Sequence, residues 1–221
     1  MLDQAQAQAV SAAYRGLGAV ERAHLVRRLL RCPFDEIAAF LPRRGDILDL
    51  GCGFGHFGVW LVQRRPGVRV WGCDPDPAKI AVARRAEVGQ RLRLYLGDCR
   101  RLEELPPRVD GVAVIDVLYL MPPREQEELL SWAVARLRPG GRLVIKTVDP
   151  AQGVRSLLAL AQEWIMVHLL RRTLSSGTIT GGRPPRYYAE FLERLGLSCR
   201  VIPLPHNPTP AALVAGVKER P

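Results

Sequence analysis

Lysine is nearly missing from this sequence. Among 221 residues with 32 basic side chains, only Lys79, Lys146 and Lys218 are lysines. The remaining cations are arginines, scattered in short groups such as "RRLLR", "PRR", "QRR" and "LRR". A net charge of +10 would attract nucleic acid, anionic lipid or an acidic substrate. No single basic block exists, so a chain-wide arginine bias accounts for the charge more simply than a dedicated polyanion site. Cysteine is also sparse. Cys32, Cys52, Cys73, Cys99 and Cys199 contain no CxxC pair, and the histidines do not cluster with them, so no zinc motif, and no metal site, is expected. Widely spaced thiols fit a reducing, cytoplasmic compartment. Residues 1–13 ("MLDQAQAQAVSAA") lack the positive start and apolar block of a secretory leader. What remains is an ordinary globular composition, 48% apolar and 24% charged, in a chain long enough for one well-buried domain.

Residues 4–41 predict two or three helices, among them "VERAHLVRRLL" and the short "PFDEIAAFL" opened by Pro33. From Asp46 the pattern changes. Apolar runs at 47–51, 68–74, 92–98, 110–117 and 141–148 alternate with helical segments. Almost wholly apolar strands separated by helices signal a parallel sheet covered on both faces. After the helix "PPRYYAEFLERLG" come "LSCRVIPLP" and "AALVAGVKE", joined only by "HNPTP". That link is too short for a crossover helix, so these two strands must pair antiparallel. The expected fold is therefore α/β and doubly wound: a mostly parallel seven-stranded sheet with an antiparallel last strand and helices on both faces. Residues 1–44 are expected to form an N-terminal helical lid, and 45–221 the core. An insertion at about 150–183 interrupts that core. Its segment 154–170 is apolar around most of its circumference but too short and interrupted for a comfortable membrane span.

The stretch "ILDLGCGFGHFG" (47–58) concentrates the chemistry. Glycines here let the backbone turn sharply and approach a ligand at the carboxyl edge of the sheet. Gly53, Gly55 and Gly58 fit G-x-G-x-x-G, a dinucleotide fingerprint, whereas Asp49 with Gly51, Gly53 and Gly55 fits D-x-G-x-G-x-G. A carboxylate at the strand tip would repel a pyrophosphate, but would hold the ammonium of S-adenosylmethionine. Three further acids end successive strands. Asp74 suits two ribose hydroxyls, Asp98 in "LGDC" suits an adenine amino group, and Asp116 ends the fourth run. Asp76 before Pro77 reads as a helix cap. Four acids in order beside apolar strands are expensive without a function.

This combination, with "LRPGGRLVI" before the fifth strand, resembles the class I S-adenosylmethionine-dependent methyltransferases, over about residues 45–149 and the terminal hairpin. The resemblance implies a Rossmann-like methyltransferase that uses S-adenosyl-L-methionine and releases S-adenosyl-L-homocysteine. It would place Asp49, Gly51, Cys52, Gly53 and Gly55 along the methionine portion, Asp74 and Pro75 at the ribose, Gly97, Asp98 and Cys99 at the adenine, and Asp116 with Val117 along the flank. An NAD(P)-binding oxidoreductase is a distant alternative, because dehydrogenases lack both the antiparallel last strand and the acid in the first, and a non-catalytic binding protein is another, because the acid and glycine set is complete.

The family's amino-methylating nucleic-acid enzymes carry [DNS]-P-P-[YFW] at the fourth strand; this chain has "DVLY". An rRNA or tRNA methyltransferase therefore ranks below a small-molecule enzyme. A second, looser resemblance, in "RCPFDEIAAFLP", "AQEWIMVHLL" and "PLPHNPTPAALVAG", is to bacterial small-molecule methyltransferases of unassigned substrate, some of which accompany lipid-like or polyene pathways. It implies an apolar, lipid-like or polyketide-like acceptor and a peripheral membrane contact. His206 is the candidate general base and Tyr119 a second catalytic candidate. Tyr14, His56 and Trp164 are candidates for a substrate lid, and the protein is expected to be a monomer or homodimer.

Overall fold

The computed structural model describes residues 4–86, 88–148, 182–205, 207 and 211–219. Helices α1 (Gln4–Ala12), α2 (Ala19–Arg31) and α3 (Phe34–Ala39) precede the sheet. Then β1 (Gly45–Leu50), α4 (His56–Arg64), β2 (Val68–Asp74), α5 (Pro77–Ala83), β3 (Leu92–Leu96), β4 (Val109–Ile115), α6 (Pro123–Arg136) and β5 (Leu137–Val148) alternate. Helix α7 (Pro185–Arg194) leads into β6 (Leu197–Leu204) and β7 (Ala211–Lys218). The seven strands lie in the order β3-β2-β1-β4-β5-β7-β6. β7 runs antiparallel to both β5 and β6, as the short link between the last two runs requires.

Period-two alternation sorts the strand residues onto two cores. Ile47, Ala113, Val144 and Leu213 face one cluster, which contains Ala7, Val10, Leu25, Leu29, Ile37 and the α4 residues Phe57 and Trp60. Leu48, Val112, Val114, Leu143, Ile145 and Val214 face the other, against Leu129, Leu130 and Ala133 of α6 and Tyr188 and Leu192 of α7. Each fully buried Leu or Ile contributes roughly 1.5–3 kcal/mol. The N-terminal helices thus share a core with the sheet.

Three strands end earlier or start sooner than their apolar runs suggest. β3 stops at Leu96 because Gly97 turns to φ +140°. β4 stops at Ile115 because Asp116 enters the left-handed region. β5 starts at Leu137, and its register shifts between Val109 and Gly111 of β4. Asp76 caps α5 as expected, accepting from the Ala78 and Lys79 amides at 2.9 and 3.3 Å. Lys218 closes α6 by donating to the carbonyls of Val134 and Leu137. Strand order reverses at β1, which has β2 on one side and β4 on the other. An open α/β sheet forms its ligand crevice at such a point, beyond the carboxyl ends of the strands.

Candidate functional site

The glycines of the two patterns answer to different local demands. Gly51, Gly53 and Gly55 have φ of +71°, +55° and +74°, values that L side chains adopt at a cost. Gly58 lies inside α4 and is needed for space instead, since a Cβ there would stand 2.8 Å from Leu92 Cδ1. The left-handed set is therefore that of D-x-G-x-G-x-G. Gly51 is doubly constrained, because its Cβ would also fall 2.4 Å from Val117 Cγ2. The Gly51 and Cys52 amides both donate to the Cys73 carbonyl, at 2.9 and 3.0 Å, tying the loop to the end of β2.

The four strand-end acids meet four different fates. Asp74 is 5% exposed. Its two oxygens accept from the Gly53 and Asp76 amides, each at 2.9 Å, so it braces the glycine loop while each oxygen keeps a lone pair. Asp98 faces its own chain: the Arg100 guanidinium grips it at 2.7 and 3.0 Å, and the Arg100 amide also donates to it. That grip holds its carboxyl below the usual range against the opposing effect of partial burial. Asp98, expected at the adenine, is thus also the internal partner of Arg100. Asp116 has φ +58°, the only positive φ outside glycine among the described residues. Its carboxylate accepts from Lys146 Nζ at 2.6 Å and its amide donates to the Lys146 carbonyl at 3.1 Å.

Asp49 is the exception. It is 3% exposed, and no described residue donates a hydrogen bond to its carboxylate. Burial, and then the neighbouring Asp74 charge, push its pKa up to about 7. Such a carboxylate ionises readily only when a cation arrives. The Cys52 thiol is raised by desolvation and by the same two acids, and Cys73 by its hydrogen bond to Cys99 and by burial. Both thiols are protonated and chemically quiet.

Tyr14 and His56 lie against this loop. The Tyr14 hydroxyl donates to the Phe54 carbonyl at 2.8 Å, and its ring meets His56 edge-on at 5.8 Å. The Arg15 amide donates to the Arg85 carbonyl, strapping the N-terminal segment onto the end of α5. Tyr14 and His56, the expected lid residues, are 1% and 5% exposed, and Tyr14 bonds to the glycine loop itself. Gly97 donates to the Asp74 carbonyl at 3.0 Å, and Pro75 stays exposed beside it. Tyr119 is buried in the turn after Asp116, with Gly182 beside it. His206, Trp164 and the 154–170 segment lie outside the described residues.

Sequence reasoning missed Lys146 and Arg100. Lysine scarcity was the available signal for the first: each of the three lysines that this arginine-rich chain keeps has a defined partner, Asp76 for Lys79, Asp116 for Lys146 and two helix-end carbonyls for Lys218.

Residues 47–141 match the methyltransferase-domain family. The chain is 31% identical over 182 residues to a trans-aconitate 2-methyltransferase of Deinococcus radiodurans, covering 78% of this chain and 67% of the relative. It is 30% identical over 174 residues to one from Mycobacterium tuberculosis, covering 76% and 62%. It thus spans about two thirds of the length of the curated relatives it matches. Among solved structures, the magnesium protoporphyrin IX methyltransferase of Synechocystis with bound S-adenosylhomocysteine superposes at a TM-score of 0.66 and 18% identity, covering 97% of this chain and 94% of that one. The Rossmann-like sheet with its antiparallel last strand is the fold of a class I methyltransferase. The chain belongs to the S-adenosylmethionine-dependent methyltransferases. It is an enzyme, and its cofactor is S-adenosyl-L-methionine.

Proposed function

We propose that this enzyme methylates a small acidic acceptor at a carboxylate oxygen, in the crevice where β1 and β4 part. The carrying observation is the charge arrangement there. Asp49 is buried beside Asp74, and no described residue donates to its carboxylate, a pairing of acids that suits a cationic ligand and opposes a pyrophosphate. The residues present therefore fit S-adenosylmethionine, which supplies an electrophilic methyl group on a sulfonium.

In this reading Asp49 receives the amino-acid ammonium, while Gly51, Cys52, Gly53 and Gly55 line the methionine portion. Asp74, beside Pro75, uses its remaining lone pairs for the ribose. Gly97 and Cys99 flank the adenine, with Asp98 reaching it only by sharing the Arg100 guanidinium. Asp116 and Val117 border the reacting end, and residues 1–44 cap the loop through Tyr14. The protein's task is to hold the acceptor in line, with about 3 Å between reacting atoms.

An acid acceptor is favoured by the curated relatives, which carry the name trans-aconitate 2-methyltransferase; the buried ammonium at the same edge, Lys146, is already paired with Asp116. A carboxylate is already a nucleophile, so neither His206 nor Tyr119 is needed as a base. An apolar body on the acceptor, as in a lipid-like or polyketide-like acid, is favoured by the half-buried Val117, Leu120 and Met121 beside Asp116. Among the described residues no helix is long and apolar enough to cross a membrane.

Calorimetry with S-adenosylmethionine and with NADH tests the cofactor site, and labelled-methyl transfer tests the acceptor. Acceptors would be trans-aconitate, medium-chain fatty acids and the amides of both. Binding of S-adenosylmethionine but not NADH, with transfer to free acids alone, is expected. Binding of NADH, or equal transfer to the amides, would overturn the reading.

A further inference from the structure

The arginines that lie scattered in the sequence gather at the opposite, amino edge of the sheet. A cleft of about 560 Å3 there is lined by Arg43, Arg44, Arg65, Arg138 and Arg142, together with Asp110. It is bounded by the loop before β1, the start of β4 and the Pro139–Gly141 turn. Two of the guanidiniums are fixed. Arg65 donates to the carbonyls of Ala38, Leu41 and Pro42 at 2.7 to 3.1 Å. Arg138 pairs with Asp110 at 2.9 Å.

The acids of this edge are fully used. Asp110 also accepts the Asp46 amide, and Asp46 itself accepts two bonds from Arg69 and one from the Trp71 indole. Arg43, Arg44 and Arg142 are exposed, and no described residue pairs with their side chains. The Arg43 cation, after burial, lowers the pKa of Arg65, which is the signature of like charges held close. Several arginines are matched individually, as in Arg69 with Asp46, Arg100 with Asp98, Arg183 with Glu127 and Arg91 with the Val62 carbonyl, and exposed ones such as Arg186 and Arg200 have no described side-chain partner either. What sets this edge apart is the convergence of five guanidiniums on one cleft.

We infer that this cleft binds a phosphate-bearing anion, of the pyrophosphate or phosphomonoester class, carried either by a free small molecule or by a lipid headgroup. Guanidinium forks match phosphate oxygens two at a time, and the volume is that of a small-ligand site. The site is separate from the methyl-transfer crevice. The six residues of β1, at about 3.3 Å each, put on the order of 16 Å between them. The ligand is therefore an effector or a tether, not the acceptor, and the inference stands independently of the acceptor proposed above.

The test is calorimetry with inorganic pyrophosphate on the wild type and on an Arg44→Gln/Arg142→Gln variant, with S-adenosylmethionine binding as the control for folding. Pyrophosphate is expected to bind the wild type and to weaken with salt. The variant should lose at least tenfold in affinity, about 1.4 kcal/mol, with its affinity for S-adenosylmethionine unchanged. Sedimentation with phosphatidic acid vesicles but not with phosphatidylglycerol or phosphatidylcholine vesicles, reversed by pyrophosphate, would identify the lipid source. Pyrophosphate binding without vesicle binding would identify the free one. No pyrophosphate binding at millimolar concentration, equal binding by the variant, or binding only of an RNA oligonucleotide would each overturn the inference.

Discussion

The two edges of one sheet carry opposite charges. β1, β4 and β5 run from a cleft lined with arginines to a crevice lined with acids. At each edge most charges are matched within the chain, and a few are not. At the carboxyl edge two amides serve Asp74, Arg100 serves Asp98 and Lys146 serves Asp116, which leaves Asp49. At the amino edge Asp46 and Asp110 are used up, which leaves Arg43, Arg44 and Arg142. Sorting charges by whether the fold already answers them is therefore more informative than counting them. The unanswered ones mark where a ligand belongs.

The comparison can be broken most severely at Asp74, which holds the loop and faces the ribose in our proposal. Asp74→Ala is expected to weaken S-adenosylmethionine binding by about 100-fold or more, several charge-assisted hydrogen bonds being lost together. A calorimetric change under fivefold would remove Asp74 from the site. Next in size is Gly51→Ala. It must accept a left-handed backbone and a 2.4 Å approach to Val117, at a cost of about 2–4 kcal/mol in thermal unfolding. Adding Val117→Ala should recover the steric part only, and full recovery would mean the left-handed conformation was not strained.

Asp49 gives a prediction in pH. Its folded pKa of about 7 lies above its ordinary 3.8, so the folded protein keeps a proton that the unfolded chain has released. The ligand-free protein should therefore lose stability as pH rises between about 4 and 7, a slope that Asp49→Asn abolishes. Binding of the cationic cofactor needs the ionised form, and its affinity should rise roughly eightfold from pH 6 to 7.5. Binding of 5′-methylthioadenosine, which has no ammonium, should stay flat over that range. An equal slope for both ligands would show that Asp49 does not meet the ammonium. The smallest expected effect is at Tyr14. Tyr14→Phe removes one hydrogen bond to the loop and should cost about 1 kcal/mol of stability, with cofactor affinity falling a few-fold. An unchanged affinity would separate the strap from the cofactor loop.

Much of the carboxyl edge was legible in the residues alone, because its demands are local. A left-handed turn calls for glycine at 51, 53 and 55, a cap calls for Asp76 before Pro77, and strand-end acids stand out among apolar neighbours. The antiparallel last strand followed from a link too short to cross over. The internal partners were not legible. Asp98 and Arg100 are two residues apart, yet nothing in "GDCRR" says that the guanidinium folds back. Lys146 meets Asp116 only because β4 and β5 pair in one register. The Tyr14 hydroxyl meets the Phe54 carbonyl, 40 residues away, a contact that no local pattern announces.

By itself, then, the sequence determined the strand alternation, the doubly wound class, the glycine turn and the order of acids along one edge. These depend on periodicity and backbone sterics, which act over a few residues. Tertiary structure alone decided which charges are answered and which are left over. It paired Asp98 with Arg100 and Asp116 with Lys146, left Asp49 without a described donor and drew arginines from three separate stretches of chain into one cleft. Coulomb interactions and desolvation depend on distance in space, and only the folded chain sets that distance.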